Sequence, residues 1–279
     1  MLGNLRVTVT TGSMNRLEPL RQALPTWLAL PEVDEVIIVD WGSSPPLSHA
    51  LRDFTDDRIL IVRVTDQLHW KNSKCHNLEL RLASRSDLLL RLDNDTLIRP
   101  DFFAHHAPRH NGFYAVNWRT VPQAVDDKRN LAGTLLIDPR YLLRVNGYNE
   151  RLVHYGREDD DLHARLMVEG YRWHPMNLDT LDHIPHTDKA RIENLAVAPE
   201  FLRTQQATTS EEKIWGVKID PKHALIAMSE KTLAEAPWTK HDLMATWEAR
   251  QIDNRYWECK EVYYPKRSEG MQELQELKA

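Results

Sequence analysis

Residues 87–95 read DLLLRLDND, and this stretch decides the fold of the chain. The run Asp87–Leu92 is mostly apolar, which is typical of a strand covered on both faces of a sheet. It ends directly in Asp93, Asn94 and Asp95. Because the ligands of open α/β sheets bind beyond the carboxyl ends of the strands, these three polar residues are predicted to face a ligand crevice.

Strand-like and helix-like segments alternate around this strand. The predicted strands are Leu5–Thr11, Val36–Val39 and Ile59–Val64, and the predicted helices are Asn15–Leu28 and Ser73–Ser84. This alternation indicates an α/β fold with a Rossmann-like, mostly parallel central sheet flanked by helices. The other strands end at Thr10, Thr11 and Asp40, which are therefore expected at the same crevice.

The second half of the chain has a different pattern. Shorter strands are predicted at Phe113–Trp118 and Leu131–Ile137, and helices at Pro139–Val145 and Asp159–Glu169. After Asn194, strand signals are few and Glu, Lys, Ala and Gln become more frequent. We therefore predict a main domain over residues 1–194 and a helical C-terminal extension over residues 195–279.

The composition limits the classes of function. A hydrophobic fraction of 42% supports a substantial core, and 36 basic against 41 acidic side chains give a net charge of -5, which offers no general attraction for nucleic acid or an anionic membrane. Cys75 and Cys259 lie too far apart for a disulfide scaffold, which favours two reduced thiols. With no membrane-spanning apolar run and no signal peptide, a cytoplasmic location is expected.

Two acidic clusters could carry chemistry. Asp93 and Asp95 can converge on a hard divalent cation, and the same pattern also occurs in solvated turns. The second cluster, Glu158–Asp161, opens a predicted helix, where acidic residues favour the N-terminus. Four consecutive carboxylates exceed what capping needs, so this run is interpreted as a site that deprotonates or hydrogen-bonds hydroxyl groups.

A third cluster contains His183 and His186. Pro185 argues against a helix here, so the two imidazoles need not share one helical face as they do in zinc proteases. They are either two exposed loop histidines or the source of a further metal ligand, with His186 placed beside Asp95.

A family resemblance is carried by four segments: residues 10–25 (TTGSMNRLEPLRQALP), 36–44 (VIIVDWGSS), 90–103 (LRLDNDTLIRPDFF) and 146–166 (NGYNERLVHYGREDDDLHARL). Together they resemble GT-A-type inverting nucleotide-sugar glycosyltransferases. The last segment is similar to the signature of the β-1,4-galactosyltransferase and chondroitin-polymerase-like group. The resemblance implies a GT-A-like fold with a nucleotide-binding half at 1–100 and an acceptor-binding half at 101–194.

The resemblance also implies a role for each matched residue. The metal, Mn²⁺ or Mg²⁺, would be bound by Asp95 and His186, with Asp93 and His183 as further candidates. The donor nucleotide-sugar would be met by Thr10, Thr11, Arg16, Asp40, Asn72, Asn77, Asp93, Asn94 and Gly133. The catalytic base would be Asp159, with Glu158 as second choice, and the acceptor would be bound by Tyr155 and Asp160.

The chain departs from the family's pattern at two places. Tyr155, Gly156 and Arg157 precede the acidic run where the family commonly has Trp-Gly-Gly. His183 stands where animal galactosyltransferases have a methionine ligand. Because imidazole is a harder ligand than a thioether, this difference can alter the metal preference.

The predicted reaction is metal-dependent, inverting transfer of a hexose or N-acetylhexosamine, of the galactose type, from a UDP-sugar to a hydroxyl of a glycan or other acceptor. Such a reaction belongs to polysaccharide biosynthesis. One alternative is a metal-dependent phosphohydrolase of nucleotide or sugar phosphates, because clustered Asp and His also build two-metal sites. Another is a non-catalytic subunit that binds a nucleotide-sugar or a glycan. The sequence predicts no nucleic-acid partner and leaves the oligomeric state open.

Overall fold

A computed structural model describes residues 3–149, 158–186, 194 and 246–262 of the chain. Its strands are β1 Val7–Ser13, β2 Val33–Trp41, β3 Ile59–Val64, β4 Leu88–Arg91, β5 Thr96–Ile98, β6 Gly112–Ala115, β7 Leu135–Ile137, β8 Arg172–Pro175, β9 Leu181–His183, β10 Thr246–Gln251 and β11 Tyr256–Val262. Its α-helices are α1 Leu17–Leu28, α2 Leu47–Ala50, α3 Asn72–Leu82, α4 Phe102–His105, α5 Pro139–Arg144 and α6 Glu158–Val168. Short 3-10 helices cover Trp118–Thr120, Gln123–Leu131 and Leu178–Thr180.

The centre of the fold is a nine-stranded sheet in the order β10-β11-β3-β2-β1-β4-β7-β6-β8. Strands β3, β2, β1 and β4 run parallel, whereas β7 runs antiparallel to β4 and β6. The predicted α/β fold with a mostly parallel central sheet is thus confirmed. Each strand and helix predicted in the first half is present, with ends that shift by a few residues. Among the described residues, no helix is long and apolar enough to cross a membrane.

The sheet is buried on both faces, as the apolar run in β2 predicted. Val36 and Ile38 pack into the cluster that contains the α1 residue Trp27. Ile37, whose side chain points to the opposite face, packs into a second cluster that contains Leu162 of α6. Helices on both faces of β2 therefore anchor the parallel strands, whose carboxyl ends meet at one edge.

A small second sheet brings the third cluster to the strand ends. β5 follows the Asp93–Asp95 turn directly and pairs antiparallel with β9, with Thr96 opposite His183. The amide of Ile184 donates to the carbonyl of Asp95 at 2.8 Å. Residues that lie about ninety positions apart in the sequence are thereby held side by side.

The helical prediction for the C-terminal extension is wrong over Thr246–Val262. These residues form the β10–β11 hairpin, and β11 pairs in parallel with the edge of β3, with Cys259 opposite Val64. Cys259 is buried, and the hydrogen bonds offered by β3 outweigh the helical composition of the region. Residues 195–245 and 263–279 lie outside the described part, and the division at residue 194 stays a prediction.

Candidate functional site

A cavity of about 230 Å³ opens at the carboxyl ends of β1 and β4. It is lined by nine of the predicted site residues: Arg16, Asn72, Asp93, Asn94, Asp95, Gly133, Glu158, Asp159 and His186. The crevice predicted from the strand ends therefore exists, and it unites residues from all three sequence clusters.

On one side of the cavity, Asp95 lies against two histidines. Its Oδ2 is 3.4 Å from His186 Nε2 and 3.8 Å from His183 Nε2. One ligand atom from each of the three residues lies within 4.8 Å of the others. One carboxylate and two imidazoles suit a divalent ion such as Mn²⁺, so these residues fit the predicted metal site. Arg16 donates to the same Asp95 oxygen at 2.8 Å.

Asp93 is placed differently from Asp95. Its Oδ1 pairs with Arg91 at 2.8 Å, and it is absent from the group of three potential ligands. Asn94 turns back toward β1, and its amide lies 3.2 Å from the Ser13 hydroxyl. Of the two aspartates of the turn, the structure thus brings only Asp95 to the histidines.

The acidic run at the start of α6 divides into two halves. Glu158 and Asp159 line the cavity. Asp160 accepts both arms of Arg119, at 2.8 and 2.9 Å, and Asp161 pairs with Arg165 at 2.7 Å.

Arg119 and Arg165 therefore neutralise the charges of Asp160 and Asp161, the second half of the run. Asp160, predicted to bind the acceptor, does not line the cavity and is already held by Arg119. Tyr155, the other predicted acceptor residue, lies outside the described residues.

Asp159 has the electrostatics of a base. Burial raises the pKa of this carboxyl well above its usual value, and the charges of Glu158 and Asp93 add to the effect, while Arg91 opposes it. The Arg91 guanidinium is 3.8 Å away, and the Tyr148 hydroxyl donates to Asp159 at 3.5 Å. A carboxylate with a raised pKa is a stronger proton acceptor near neutral pH.

Glu158 lies beside Asp159 in the cavity. Burial also raises the pKa of this carboxyl. It accepts a hydrogen bond from the side-chain amide of Asn72, one of the predicted donor-binding residues. This contact ties the start of α6 to the start of α3 across the cavity.

Four predicted donor-binding residues do not line the cavity. Thr10 and Thr11 are fully buried, because β1 continues to Ser13 and brings only the end of the strand to the opening. Asp40 is buried and pairs with Arg63 at 2.7 Å.

Asn77 is the fourth of these residues. It exchanges two hydrogen bonds with the backbone of Tyr148, at 2.8 and 2.7 Å. In the structure Thr10, Asp40 and Asn77 thus make contacts within the protein instead of lining the cavity.

Several lining residues were not predicted, among them Trp70, Arg129 and Arg91. Arg91 carried a usable signal, since a charged side chain inside a leucine-rich strand needs a partner. Gly133, which was predicted, has a clear steric role: a Cβ at this position would overlap the side chains of Arg91 and Asp93. Only glycine lets the backbone approach these two groups so closely.

Comparisons with known proteins relate the chain to glycosyltransferases. Residues 124–188, which include Gly133, the acidic run and His186, match a family model described as the N-terminal domain of galactosyltransferase. No curated protein sequence matches the chain.

Similar solved structures are glycosyltransferases. Drosophila β1,4-galactosyltransferase 7, solved as a variant with manganese, UDP-Gal and xylobiose, is 14% identical, with 93% of this chain and 96% of that chain covered and a TM-score of 0.52. A mannosyltransferase from Pyrobaculum calidifontis, in complex with GDP-Man and Mn²⁺, is 17% identical over 83% of this chain and 74% of that chain, with a TM-score of 0.56. The chain therefore has the fold of these glycosyltransferases, and its residues 124–188 are similar in sequence to a galactosyltransferase domain.

Proposed function

We propose that the chain is a metal-dependent, inverting glycosyltransferase that moves a galactose-type hexose or N-acetylhexosamine from a UDP-sugar to a hydroxyl of a glycan. The observation that carries the proposal is the cavity, which has a carboxylate with two imidazoles on one side and Glu158 with Asp159 on another. The manganese and UDP-Gal in the Drosophila structure support the same arrangement of metal and donor.

Asp95, His183 and His186 would hold the metal. A bound divalent cation neutralises the charge that develops on a leaving diphosphate. Arg16, which pairs with the same carboxylate at 2.8 Å, and Arg129, which pairs with Asp126 at 2.8 Å, both line the cavity, where their guanidinium groups could also contact the donor's phosphates.

Asp159 would take the proton of the acceptor hydroxyl. Inversion requires the acceptor to attack the face of the sugar opposite the leaving group, which places the base away from the metal ligands. Asp159 belongs to α6, whereas Asp95 follows β4 and the histidines belong to β9 and the loop after it. Its raised pKa, caused chiefly by burial, suits it to accept a proton.

The two alternatives have less support. A two-metal phosphohydrolase needs a second metal ion about 4 Å from the first, and therefore a second group of ligands. In the described part of the chain, the other candidate group is Cys75, His76 and Glu79, and Arg91 lies 2.6 Å from the ring of His76. A guanidinium at that distance disfavours a second cation there. The base-like environment of Asp159 argues for turnover and against a subunit that only binds.

A thermal-shift screen tests the proposal. UDP-, GDP-, CMP- and dTDP-sugars are each added with and without Mn²⁺. At about 100 times its Kd, a UDP-sugar with Mn²⁺ is expected to raise Tm by roughly 5–10 °C, with little effect from either alone. Preference for another nucleotide would overturn the choice of UDP.

Product analysis separates the three functions. A transferase releases UDP faster when an acceptor sugar is supplied, and the sugar appears on that acceptor with inverted anomeric configuration. Acceptor-independent release of inorganic phosphate from a simple diphosphate would instead identify a phosphohydrolase. Tight binding without turnover over a broad donor and acceptor panel would identify a binding subunit.

A further inference from the structure

A row of buried polar side chains lies behind the cavity wall. Thr10, His76, Glu79 and Arg91 come from β1, α3 and β4, and each is at most 5% exposed. Burying charged groups costs several kcal/mol unless each one is paired and hydrogen-bonded. The proposed reaction uses none of the first three residues directly, so the row calls for another explanation.

Glu79 is surrounded by hydrogen-bond donors. The Thr10 hydroxyl donates to its Oε2 at 2.9 Å, and the Cys75 thiol lies 3.6 Å from its Oε1. The third neighbour is Nδ1 of His76, 3.0 Å from Oε1. An ionised carboxylate only accepts hydrogen bonds, so this arrangement is satisfied when His76 carries its proton on Nδ1.

That tautomer leaves Nε2 of His76 as an acceptor. Nη2 of Arg91 lies 2.6 Å from Nε2 and 3.4 Å from Nδ1, and a guanidinium can only donate, so the nearer contact is satisfied when Nε2 accepts. Glu79 therefore selects the histidine tautomer that can accept from Arg91, which is how a carboxylate fixes a histidine in many functional sites. The opposite tautomer would place two donors face to face.

Arg91 joins this row to the cavity. Besides His76, it contacts Asp93 at 2.8 Å, the carbonyl of Gly133, and Asp159 at 3.8 Å. One guanidinium thus spans a carboxylate on the donor side and the proposed base. The planar guanidinium group of Arg91 can contact both Asp93 and Asp159 only when the orientation of its plane is fixed.

We infer that Glu79 and His76 are positioning residues that orient Arg91 and, through it, align Asp159 for proton transfer. The inference rests on the proposed function, because it assigns a role within that reaction. It also gives Thr10, which does not line the cavity, a place at the far end of the row. A misplacement of about 1 Å at a reacting group can cost on the order of 100-fold in rate, so a loss of alignment should be measurable as a fall in kcat.

Two nearly isosteric changes test this inference. Glu79→Gln lets an amide donate to Nδ1 and so favours the wrong tautomer, while His76→Phe removes the acceptor for Arg91. Each is expected to lower kcat by about 10- to 100-fold, with a much smaller change in the donor KM. Cys75→Ser is the matched control, because it lies on the same helix, is equally buried and keeps a donor toward Glu79.

A second measurement does not depend on turnover. In a sample with ¹⁵N-labelled histidine, the signals lost in His76→Phe identify His76, and their shifts report which ring nitrogen carries the proton. Wild type is expected to show a neutral ring with the proton on Nδ1. In Glu79→Gln the proton is expected to move to Nε2.

The outcomes separate this inference from the proposed function. If wild type transfers sugar, and the folded Glu79→Gln and His76→Phe proteins keep its kcat or lose no more than Cys75→Ser does, the inference is overturned. A proton on Nε2 in wild type overturns it as well. If wild type transfers no sugar, the proposed function fails, and the tautomer alone decides whether the row orients Arg91.

Discussion

Replacing Asp159 with asparagine isolates the proposed base. The two side chains have nearly the same shape, and the Tyr148 hydroxyl, now 3.5 Å away, can still reach the new one. An amide cannot take a proton from an acceptor hydroxyl, and loss of a general base costs about 10²- to 10⁴-fold in rate. We expect kcat to fall by that factor. The affinity for UDP with Mn²⁺ should stay within about threefold, because Asp95 and its histidines are untouched.

Although it should lower kcat, the same substitution should not lower the free energy of unfolding. Burial, reinforced by the neighbouring charge of Glu158, holds the pKa of Asp159 well above the ordinary value of 3.8. Between the unfolded and folded pKa values the folded state binds more protons, so the free energy of unfolding falls as the pH rises through this window. Asparagine does not titrate. The variant should therefore be at least as stable as wild type at neutral pH and should lose this part of the pH dependence.

The assay combines steady-state UDP release with calorimetry of UDP and Mn²⁺ binding and thermal unfolding at several pH values. Asp101→Asn is the control, because this exposed carboxylate pairs with His105 on the surface, at 3.3 Å, and does not line the cavity. An Asp159→Asn protein that kept its kcat would refute the reasoning. A loss of UDP affinity as large as the loss of kcat would refute it too, because the residue would then bind the donor.

Three further predictions follow from the site. The kcat of wild type should rise with pH with an apparent pKa well above 3.8, since burial raises the pKa of Asp159, and a pH profile should show this limb. His183→Ala and His186→Ala should each weaken Mn²⁺ binding by roughly 10- to 100-fold in calorimetry without donor, and an unchanged affinity would remove that residue from the ligand set. Gly133→Ala should destabilise the protein by about 1–3 kcal/mol in thermal or urea unfolding, because its Cβ would overlap Arg91 and Asp93.

The parallel core of the fold could be predicted because local signals and tertiary structure agree there. Val36–Val39 is apolar throughout and lies between helices on both faces of the sheet. The β10–β11 hairpin was not predicted because Glu, Lys, Ala and Gln are frequent in the region after Asn194, although Tyr256, Trp257 and Val262 are residue types that favour strands. β11 pairs with β3 and β10 pairs with β11, and no local pattern in the sequence records that an edge of β3 is available.

The site was predictable only in part, for a related reason. The sequence shows which residues are chemically able to act, and the structure brings three of them, Asp95, His186 and Asp159, to one cavity. The sequence does not show which carboxylates are already paired. Asp160 meets its partner Arg119 only because the segment at 117–120 packs against α6, a contact between distant parts of the chain.

The balance of charge in the cavity gives a physical reason for the proposed metal dependence. Among the described residues that line it, three cationic side chains, Arg16, Arg91 and Arg129, face four carboxyl groups, those of Asp93, Asp95, Glu158 and Asp159. Arg16 and Arg91 are already engaged by Asp95 and Asp93. A nucleoside diphosphate would bring further negative charge beside the carboxylates of Asp93 and Asp95, and this repulsion would oppose its binding. A divalent cation at Asp95 reverses this balance, so donor and metal should bind more tightly together than separately, each raising the affinity of the other by the same factor.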